Sequence, residues 1–249
     1  MISKNQIQFI KSLQNKKERS DKQIFTAEGS RLILDLIKTA QNLVKHIYCT
    51  ETWFKDYETK LSQILGLVTI IHDDELKKIA SLKTTEQVIG LFKFPELTPS
   101  QPDELKLSLY LDDLKDPGNM GTIFRLADWF GITHIFGGES CVDPFNNKSI
   151  QASMSSISRV TFQSLPFQQL KADFTQHKFI ATGLLGVELK DVKQDDSSKI
   201  ICIGNEAHGL SEEIAKLCDI TVSISSKKSL GAESLNAAIA SGILLQHFS

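Results

Sequence analysis

Apolar residues recur along this chain with two different spacings, which predict an alternation of helices and strands. In the first 94 residues, amphipathic helical patterns alternate with short β-branched segments. The predicted helices cover residues 4–13, 30–42, 52–64 and 74–82, and the predicted strands are "QIFTAEG", "KHIYCT", "GLVTIIH" and "QVIGLFK". The pattern predicts a small α/β sandwich. It contains no nucleophile–base arrangement, which favours a binding module over a catalytic domain.

After residue 106 the pattern continues with six short apolar strands separated by amphipathic helices. The strands are "LSLYLDD", "THIFGG", "RVTFQ", "KFIATGL", "KIICIGNE" and "ITVSIS", and the helices cover residues 121–130, 148–157, 168–176, 211–217 and 232–248. This order predicts an α/β fold with a mostly parallel sheet covered on both faces. Because such sheets bind ligands beyond the carboxyl ends of their strands, polar residues there are candidates for a site.

The two blocks are joined by "KFPELTPSQPDELK", a segment that holds three of the six prolines. Proline stiffens the backbone and removes hydrogen-bond donors, so this composition is typical of a linker. We therefore predict a first domain over residues 1–94, a linker over 95–106 and a second domain over 107–249.

The composition is that of a globular protein, with 41% hydrophobic and 23% charged residues. No apolar run approaches the roughly 20 residues that span a bilayer, and the N-terminal segment has no signal-peptide core. A cytoplasmic location is therefore expected. The four cysteines form no C-x-x-C pair and the six histidines are dispersed, so neither a disulfide framework nor a metal site is expected.

The charge is unevenly distributed, although the net charge is only −2. Residues 1–31 contain seven basic and three acidic residues, a net charge of +4, which leaves −6 for the remainder. A basic arm on an otherwise acidic protein suits contact with RNA phosphates. On charge alone, however, a solvated helix face is the simpler interpretation.

Three polar segments in the second block lie at strand ends or helix starts. They are "DPGNMG" before the helix that carries Arg125, "GNEAHGLSEE" after the fifth strand, and "AESLN" before the last helix. Taken singly, an ordinary turn, an Arg125–Asp128 pair and an N-cap at Ser234 would explain them. Since neither G-x-G-x-x-G nor G-x-x-x-x-G-K-[ST] occurs, a dinucleotide or phosphate loop is not indicated.

Taken together, the three segments resemble the signature motifs of the SpoU/TrmH family of RNA 2′-O-ribose methyltransferases, in the SPOUT superfamily. The matching stretches, in the family's order, are "DDLKDPGNMGTIFRLA", "IGNEAHGL" and "AESLNAAIA". "NKSIQASMSSISRV" looks like another helix of the family, and "KKERSDKQIFTAEGSRLILDLI" is similar to the substrate-binding domain that many members carry. The resemblance thus covers nearly the whole chain.

The resemblance implies a SPOUT methyltransferase domain with a deep trefoil knot, an exception to the usual absence of knots. It also implies S-adenosylmethionine as cofactor and a homodimer with active sites at the interface. The implied reaction is 2′-O-methylation of an RNA ribose, with 23S ribosomal RNA favoured over transfer RNA as substrate.

Carried onto this sequence, the resemblance also implies site residues. The catalytic group would be Asn119, Arg125, Glu206, Ser234 and Asn236. The cofactor contacts would be Thr182, Gly183, Gly204, Asn205, Glu206, Gly209, Ile224, Ser234, Leu235 and Asn236. The RNA contacts would be Lys16, Lys17, Arg19, Arg31 and Arg125.

The family pattern makes Arg125 the proton acceptor, but a guanidinium stays protonated in proteins. We expect Arg125 instead to clamp a phosphate and polarise the ribose hydroxyl. One departure concerns the cofactor loop, where the family usually has Ile-Pro and this chain has Ile224 followed by the polar stretch Ser225–Lys228. A transfer-RNA methyltransferase, a non-catalytic RNA-binding or ribosome-assembly protein and an antibiotic-resistance methylase remain alternatives, and the sequence does not name the nucleotide.

Overall fold

A computed structural model describes residues 2–81, 87–97, 102–225, 231 and 233–249, and the chain divides into two compact units. The first unit comprises Met1–Glu96 and Phe145–Ser158, and the second comprises Leu97–Pro144 and Arg159–Ser249. Phe145–Ser158 therefore belongs to the first unit, although along the chain it lies between the two parts of the second.

The strands and helices alternate along the chain, as the hydrophobic pattern predicts. The strands are β1 Ile24–Glu28, β2 Val44–Cys49, β3 Val68–Ile70, β4 Val88–Lys93, β5 Leu107–Leu111, β6 His134–Gly137, β7 Thr161–Ser164, β8 Lys178–Glu188, β9 Lys199–Ile203 and β10 Ile220–Ser223. The helices are α1 Lys4–Ser12, α2 Lys16–Lys22, α3 Ser30–Thr39, α4 Glu51–Leu61, α5 Asp73–Ile79, α6 Pro117–Trp129, α7 Asn147–Ser153, α8 Phe167–Asp173, α9 Glu212–Leu217 and α10 Ala237–Phe248.

The first unit is built on a mixed four-stranded sheet with the order β1-β4-β2-β3. Helix α7 is anchored in this unit, because Gln151 Nε2 donates to the Glu28 carbonyl at 2.7 Å. Just before the helix, the ring of Phe145 stacks on Phe94 with centroids 3.7 Å apart and lies 5.5 Å from Phe25. Segment 145–158 thus completes the packing of the first unit.

The second unit is built on a six-stranded sheet with the order β10-β8-β9-β5-β6-β7, in which every pair of neighbours is parallel. Leu111 at the end of β5 pairs with Ile203 at the end of β9, so the loops that follow these two strands start side by side. The predicted α/β fold class with a mostly parallel sheet is confirmed, whereas the trefoil knot stays a prediction.

Helix starts differ most from the sequence prediction. Helix α6 begins at Pro117 rather than at residue 121, because Asp116 caps it and accepts a hydrogen bond from Asn119 N at 2.8 Å. Proline suits the first helical position, where its missing N–H would have no partner. Helix α10 begins at Ala237 rather than at residue 232, so its N-cap is Asn236 and not Ser234, the cap that the segment would suggest if taken singly.

Candidate active site

The three sequence motifs of the second unit converge at one edge of its sheet. The first follows β5 and opens α6, the second follows the adjacent strand β9, and the third precedes α10. Parallel strands end at the same edge, so the first two motifs are neighbours there. Side-chain hydrogen bonds then join them to the third.

Glu206 collects three donors on its carboxylate. Oε2 accepts from Lys115 N at 3.2 Å, and Oε1 accepts from Asp116 N at 3.0 Å and Asn119 Nδ2 at 2.9 Å. Partial burial raises the pKa of Glu206, but the hydrogen bonds from Asn119 and the backbone outweigh it, and the pKa lies below its usual value. Glu206 is therefore ionised at neutral pH and joins the second motif to the first turn of α6.

Asn119 links Glu206 to the third motif. Its Nδ2 donates to Glu206, and its Oδ1 accepts from Asn236 Nδ2 at 2.8 Å. The Oδ1 of Asn236 in turn accepts from Ala238 N at 2.9 Å and Ile239 N at 3.2 Å, which caps α10. Asn119 is only 8% exposed, so a buried amide connects the three motifs by hydrogen bonds.

The turn that carries Glu206 is closed by a backbone pair between Asn205 and Gly209, with both N···O distances 2.9 Å. Gly209 has a φ of +70°, which favours glycine. A Cβ on Gly204 would lie 2.1 Å from both Gly209 C and Leu210 N. The turn therefore requires both glycines that the sequence motif contains.

Arg125 and Ser234 are exposed. Arg125 lies on α6, six residues beyond Asn119. The sequence alone would pair Arg125 with Asp128, but in the structure the carboxylate of Asp128 accepts two hydrogen bonds from Arg159. No hydrogen bond between described residues joins Arg125 or Ser234 to Asn119, Glu206 or Asn236. The structure thus joins three of the five predicted catalytic residues directly, and within the described residues Arg125 and Ser234 form no hydrogen bond with those three.

Of the predicted cofactor residues, Gly204 and Ile224 directly follow β9 and β10, and Thr182 and Gly183 lie within β8, just after Ala181, its last residue paired with β9. Thr182 Oγ1 donates to the Cys202 carbonyl at 2.8 Å, which ties β8 to β9 at this edge. The small residues Thr182, Gly183 and Gly204 and the partly or fully exposed apolar side chains of Ile224 and Leu235 suit a ligand that combines an adenosine with polar groups. The residues present therefore fit S-adenosylmethionine. Of the departing stretch Ser225–Lys228, positions 226–228 lie outside the described residues.

Two acidic residues that the sequence analysis did not single out also join the motifs. Asp112 Oδ2 accepts from Ser211 N at 2.8 Å, and Asp113 accepts from Asn205 Nδ2. The available signal was the pair of carboxylates directly after the apolar strand "LSLYL", at the sheet edge where ligands bind.

Of the basic residues predicted to contact RNA in the first unit, Lys16, Lys17 and Arg31 are exposed. Arg19 is only 2% exposed, and its Nη1 donates to the Leu13 carbonyl at 2.7 Å. Its guanidinium is directed into the protein, so the structure does not place Arg19 on an RNA-binding surface.

Two further properties of residues 2–81, 87–97, 102–225, 231 and 233–249 concern metals and membranes. In those residues, His, Cys, Asp and Glu side chains do not gather in groups of three that could hold a metal ion. None of the described helices has the length and apolar character needed to cross a membrane.

An all-parallel α/β sheet with polar side chains gathered at its carboxyl edge defines the ligand-binding α/β class. Residues 106–246 match the SpoU rRNA Methylase family, and residues 4–90 match the MRM3-like substrate binding domain. The chain therefore belongs to the SpoU rRNA methylase family, and the resemblance inferred from the motifs is confirmed.

Known proteins resemble the chain over most of its length. It is 27% identical over 252 residues to the 23S rRNA (guanosine(2553)-2′-O)-methyltransferase RlmP of Bacillus subtilis, covering 98% of this chain and 96% of that protein. It is 24% identical over 276 residues to mouse mitochondrial rRNA methyltransferase 3, covering 88% of this chain and 65% of that protein. The AdoMet-bound rRNA methyltransferase of Sinorhizobium meliloti superposes with a TM-score of 0.84 at 26% identity, covering 99% and 95% of the two chains. The predicted cofactor agrees with that neighbour.

Proposed function

We propose that this chain is an S-adenosylmethionine-dependent methyltransferase that methylates a ribose 2′-hydroxyl in 23S ribosomal RNA. The observation that carries the proposal is the hydrogen-bonded series Glu206–Asn119–Asn236, which joins all three family motifs at the ligand-binding edge of the sheet. The names of the B. subtilis and mitochondrial relatives support ribosomal RNA as substrate.

S-adenosylmethionine, when bound, supplies an electrophilic methyl group on a sulfonium. We assign its contacts to the residues implied by the family pattern. They are Thr182, Gly183, Gly204, Asn205, Glu206, Gly209, Ile224, Ser234, Leu235 and Asn236. The main task of this chain is to hold the ribose hydroxyl in line for transfer, since orientation alone contributes several kcal/mol to such displacements, about 7–11 in favourable cases.

The side chains of the site divide into those that reach RNA and those that position them. Arg125 and Ser234 are exposed, so they contact the substrate: Arg125 donates to a phosphate and to the 2′-oxygen, and Ser234 orients the ribose. Asn119, buried and hydrogen bonded at both ends of its amide, braces the site together with Glu206 and Asn236. Asn119 is therefore a positioning residue in this proposal and does not itself contact the ribose.

The first domain, residues 1–94, binds RNA in this proposal and residues 95–106 link it to the second. Residues 107–249, apart from the segment 145–158 that packs with the first unit, transfer the methyl group. Lys16, Lys17 and Arg31 contact phosphates, because they are exposed and lie in the basic N-terminal region. Arg19 is left out because its guanidinium is buried. The double substitution Lys16→Glu and Lys17→Glu should weaken RNA binding. It should also reduce the slope of log K against log[salt] by about two, one for each lost phosphate contact, as measured by filter-binding titrations at several salt concentrations.

We also propose a knotted, cytoplasmic homodimer. Support for the homodimer comes from exposed apolar side chains on α6 and α10, namely Trp129 (84% exposed), Ile239 and Ile243. Exposed patches of this kind mark interaction sites. Sedimentation equilibrium of the purified chain tests the oligomeric state, and a monomer at micromolar concentration would contradict the proposal.

The reaction itself is tested by transfer of a labelled methyl group to unmodified ribosomal and transfer RNA pools, followed by mapping of the ribose-methylated position. Label in transfer RNA alone would contradict the substrate assignment, and RNA binding without cofactor binding would identify a non-catalytic RNA-binding protein. Arg125→Ala should keep cofactor affinity in calorimetry and lose turnover. Unchanged turnover would contradict the role of Arg125.

A further inference from the structure

Asp113 has a backbone conformation that residues with a side chain rarely adopt. Its φ is 56°, in the left-handed region, in the loop directly after β5. This region is unfavourable for most L-residues, and Asp and Asn tolerate it best because their short side chains bond locally. Such strain persists where surrounding contacts fix it and is common at functional sites.

Two acceptors of Asp113 converge on one amide group. Its carbonyl oxygen accepts from Asn205 Nδ2 at 2.9 Å, and its Oδ2 accepts from the same nitrogen at 3.1 Å. Its Oδ1 lies 2.5 Å from Lys115 Nζ. Hydrogen bonding with Lys115, then with Ser140, lowers the pKa of Asp113. The side chain is therefore an ionised acceptor, which fixes the orientation of the Asn205 amide.

With its nitrogen held by Asp113, Asn205 presents its Oδ1 to the following turn. That oxygen accepts from Ala207 N at 2.8 Å and His208 N at 3.2 Å. These bonds enclose Glu206 in the turn, and Glu206 Oε1 accepts from Asn119 Nδ2 at 2.9 Å. A reversed Asn205 amide would place its nitrogen against two backbone N–H groups, so the turn depends on the orientation that Asp113 fixes.

We propose that Asp113 is a positioning residue for methyl transfer: by fixing the amide of Asn205, it sets the turn that holds Glu206 against Asn119. The proposal rests on the proposed function, since it assigns Asp113 a task within that same site. Asp113 acts through Asn205 and has no direct role on the substrate.

Asp113→Gly separates positioning from backbone strain, because it removes the carboxylate and relaxes the left-handed backbone. We expect kcat to fall by about tenfold to a hundredfold, the usual cost of a small misplacement in a site, with an unfolding midpoint that is unchanged or raised. Asp113→Asn keeps a side-chain oxygen and tolerates positive φ, so it should restore most of kcat. Full activity of the Gly variant, or an Asn variant as impaired as Gly, would overturn the proposal.

Coupling to Asn205 distinguishes positioning from a general structural role. In an Asn205→Ala background, Asp113→Gly should cause no further loss of kcat, because the residue through which it acts is gone. Additive losses would overturn the proposal. The matched control is Gln23→Gly, since Gln23 has a φ of 54° in the first unit. It should leave kcat unchanged, and a comparable loss there would show that the Asp113 effect is not specific.

A readout independent of turnover is hydrogen exchange at the amides of Ala207 and His208. Asp113→Gly should speed exchange at both amides roughly tenfold, because the Asn205 amide that accepts from them loses its bond to the carboxylate and keeps only its bond to the carbonyl of residue 113. Unchanged protection would overturn the proposal even if kcat falls. If the wild-type chain transfers no methyl group to RNA, the proposed function fails, while the exchange measurement still decides whether Asp113 positions the turn.

Discussion

Glu206→Gln tests the site most directly, because it keeps the shape of the side chain and changes one acceptor into a donor. The oxygen of the new amide can still accept from Asp116 N and Asn119 Nδ2, which both bind Oε1. The new nitrogen then faces the N–H of Lys115, which binds Oε2. Reversing the amide would oppose two donors instead of one. At least one hydrogen bond is therefore lost in either orientation.

The expected loss of stability follows from this one lost hydrogen bond. A hydrogen bond to a charged group contributes about 1.5–3 kcal/mol, and the half-burial of Glu206 places the loss near the lower end, at about 1.5 kcal/mol. At about 2–4 °C per kcal/mol for a chain of this length, the unfolding midpoint of the second unit should fall by roughly 3–6 °C.

The effect of Glu206→Gln on the free energy of unfolding should decrease as the pH falls. The pKa of Glu206 in the folded protein lies below its usual 4.5. A carboxyl whose pKa is lowered by folding stabilises the protein above its unfolded-state pKa, and this contribution is lost as the pH falls through the folded-state pKa. The difference in unfolding free energy between wild type and Glu206→Gln should stay constant from about pH 7 to pH 5 and shrink below about pH 4.5.

Urea unfolding at several pH values measures this difference. The matched control is Glu212→Gln, which makes the same chemical change at an exposed residue paired with Lys216 at 3.1 Å. Exposed pairs four residues apart contribute only about 0.3–0.5 kcal/mol, so the control should change little. The reasoning is refuted if Glu206→Gln costs no more than the control at pH 7, or if its effect grows as the pH falls below 4.5.

Two further substitutions test the same site. Gly204→Ala should destabilise the second unit by roughly 3 kcal/mol or more in urea unfolding, because its Cβ would lie 2.1 Å from backbone atoms that cannot move aside; a loss below 1 kcal/mol would contradict the close approach. Asn236→Ala should cost about 2 kcal/mol, from the lost helix cap and the lost bond to Asn119. Asn236→Ser keeps a cap and should recover about half of that loss, whereas equal losses would show that capping contributes nothing.

The sequence predicts the strands of both units well, and its failures have specific causes. Helix α2, with the sequence "KKERSDK", contains no apolar residue and was not predicted. The buried residue of this helix is Arg19, whose guanidinium donates to the Leu13 carbonyl. A charged residue thus occupies the buried position at which the helical pattern expects an apolar side chain. Periodicity of apolar residues cannot reveal such a helix.

Strand β8 illustrates a second limit. The sequence predicts its beginning, "KFIATGL", but the strand continues to Glu188. Its pairing with β10 shifts register, since Thr221 pairs with Ala181 and the next residue, Val222, pairs with Val187. Such a shift depends on long-range pairing and leaves no local signal. Assignment of segment 145–158 to the first unit is of the same kind, because it depends on the contact of Phe145 with distant aromatic rings.

At the site, the sequence predicts which residues lie together but not the role of each residue. The motifs contain Asn119, Glu206 and Asn236, and the structure joins these three in one series of hydrogen bonds. Asp113 was missed because an acidic residue after a strand is common, and only its left-handed backbone and its contact with Asn205 distinguish it.

The geometry around Asn119 explains why the family pattern requires an amide there. The residue must donate to the carboxylate of Glu206 on one side and accept from Asn236 on the other, and only a side-chain amide carries both functions on adjacent atoms. An aspartate would place a second negative charge against Glu206, and a leucine would remove one hydrogen bond from each partner, at about 0.5–1.5 kcal/mol for each bond because Glu206 is only partly buried and Asn236 is exposed. A glutamine has both functions but is longer by one methylene, in a position that is only 8% exposed. The three motifs are thus joined by one carboxylate and two amides, with the Asn119 amide bonded to both of the others.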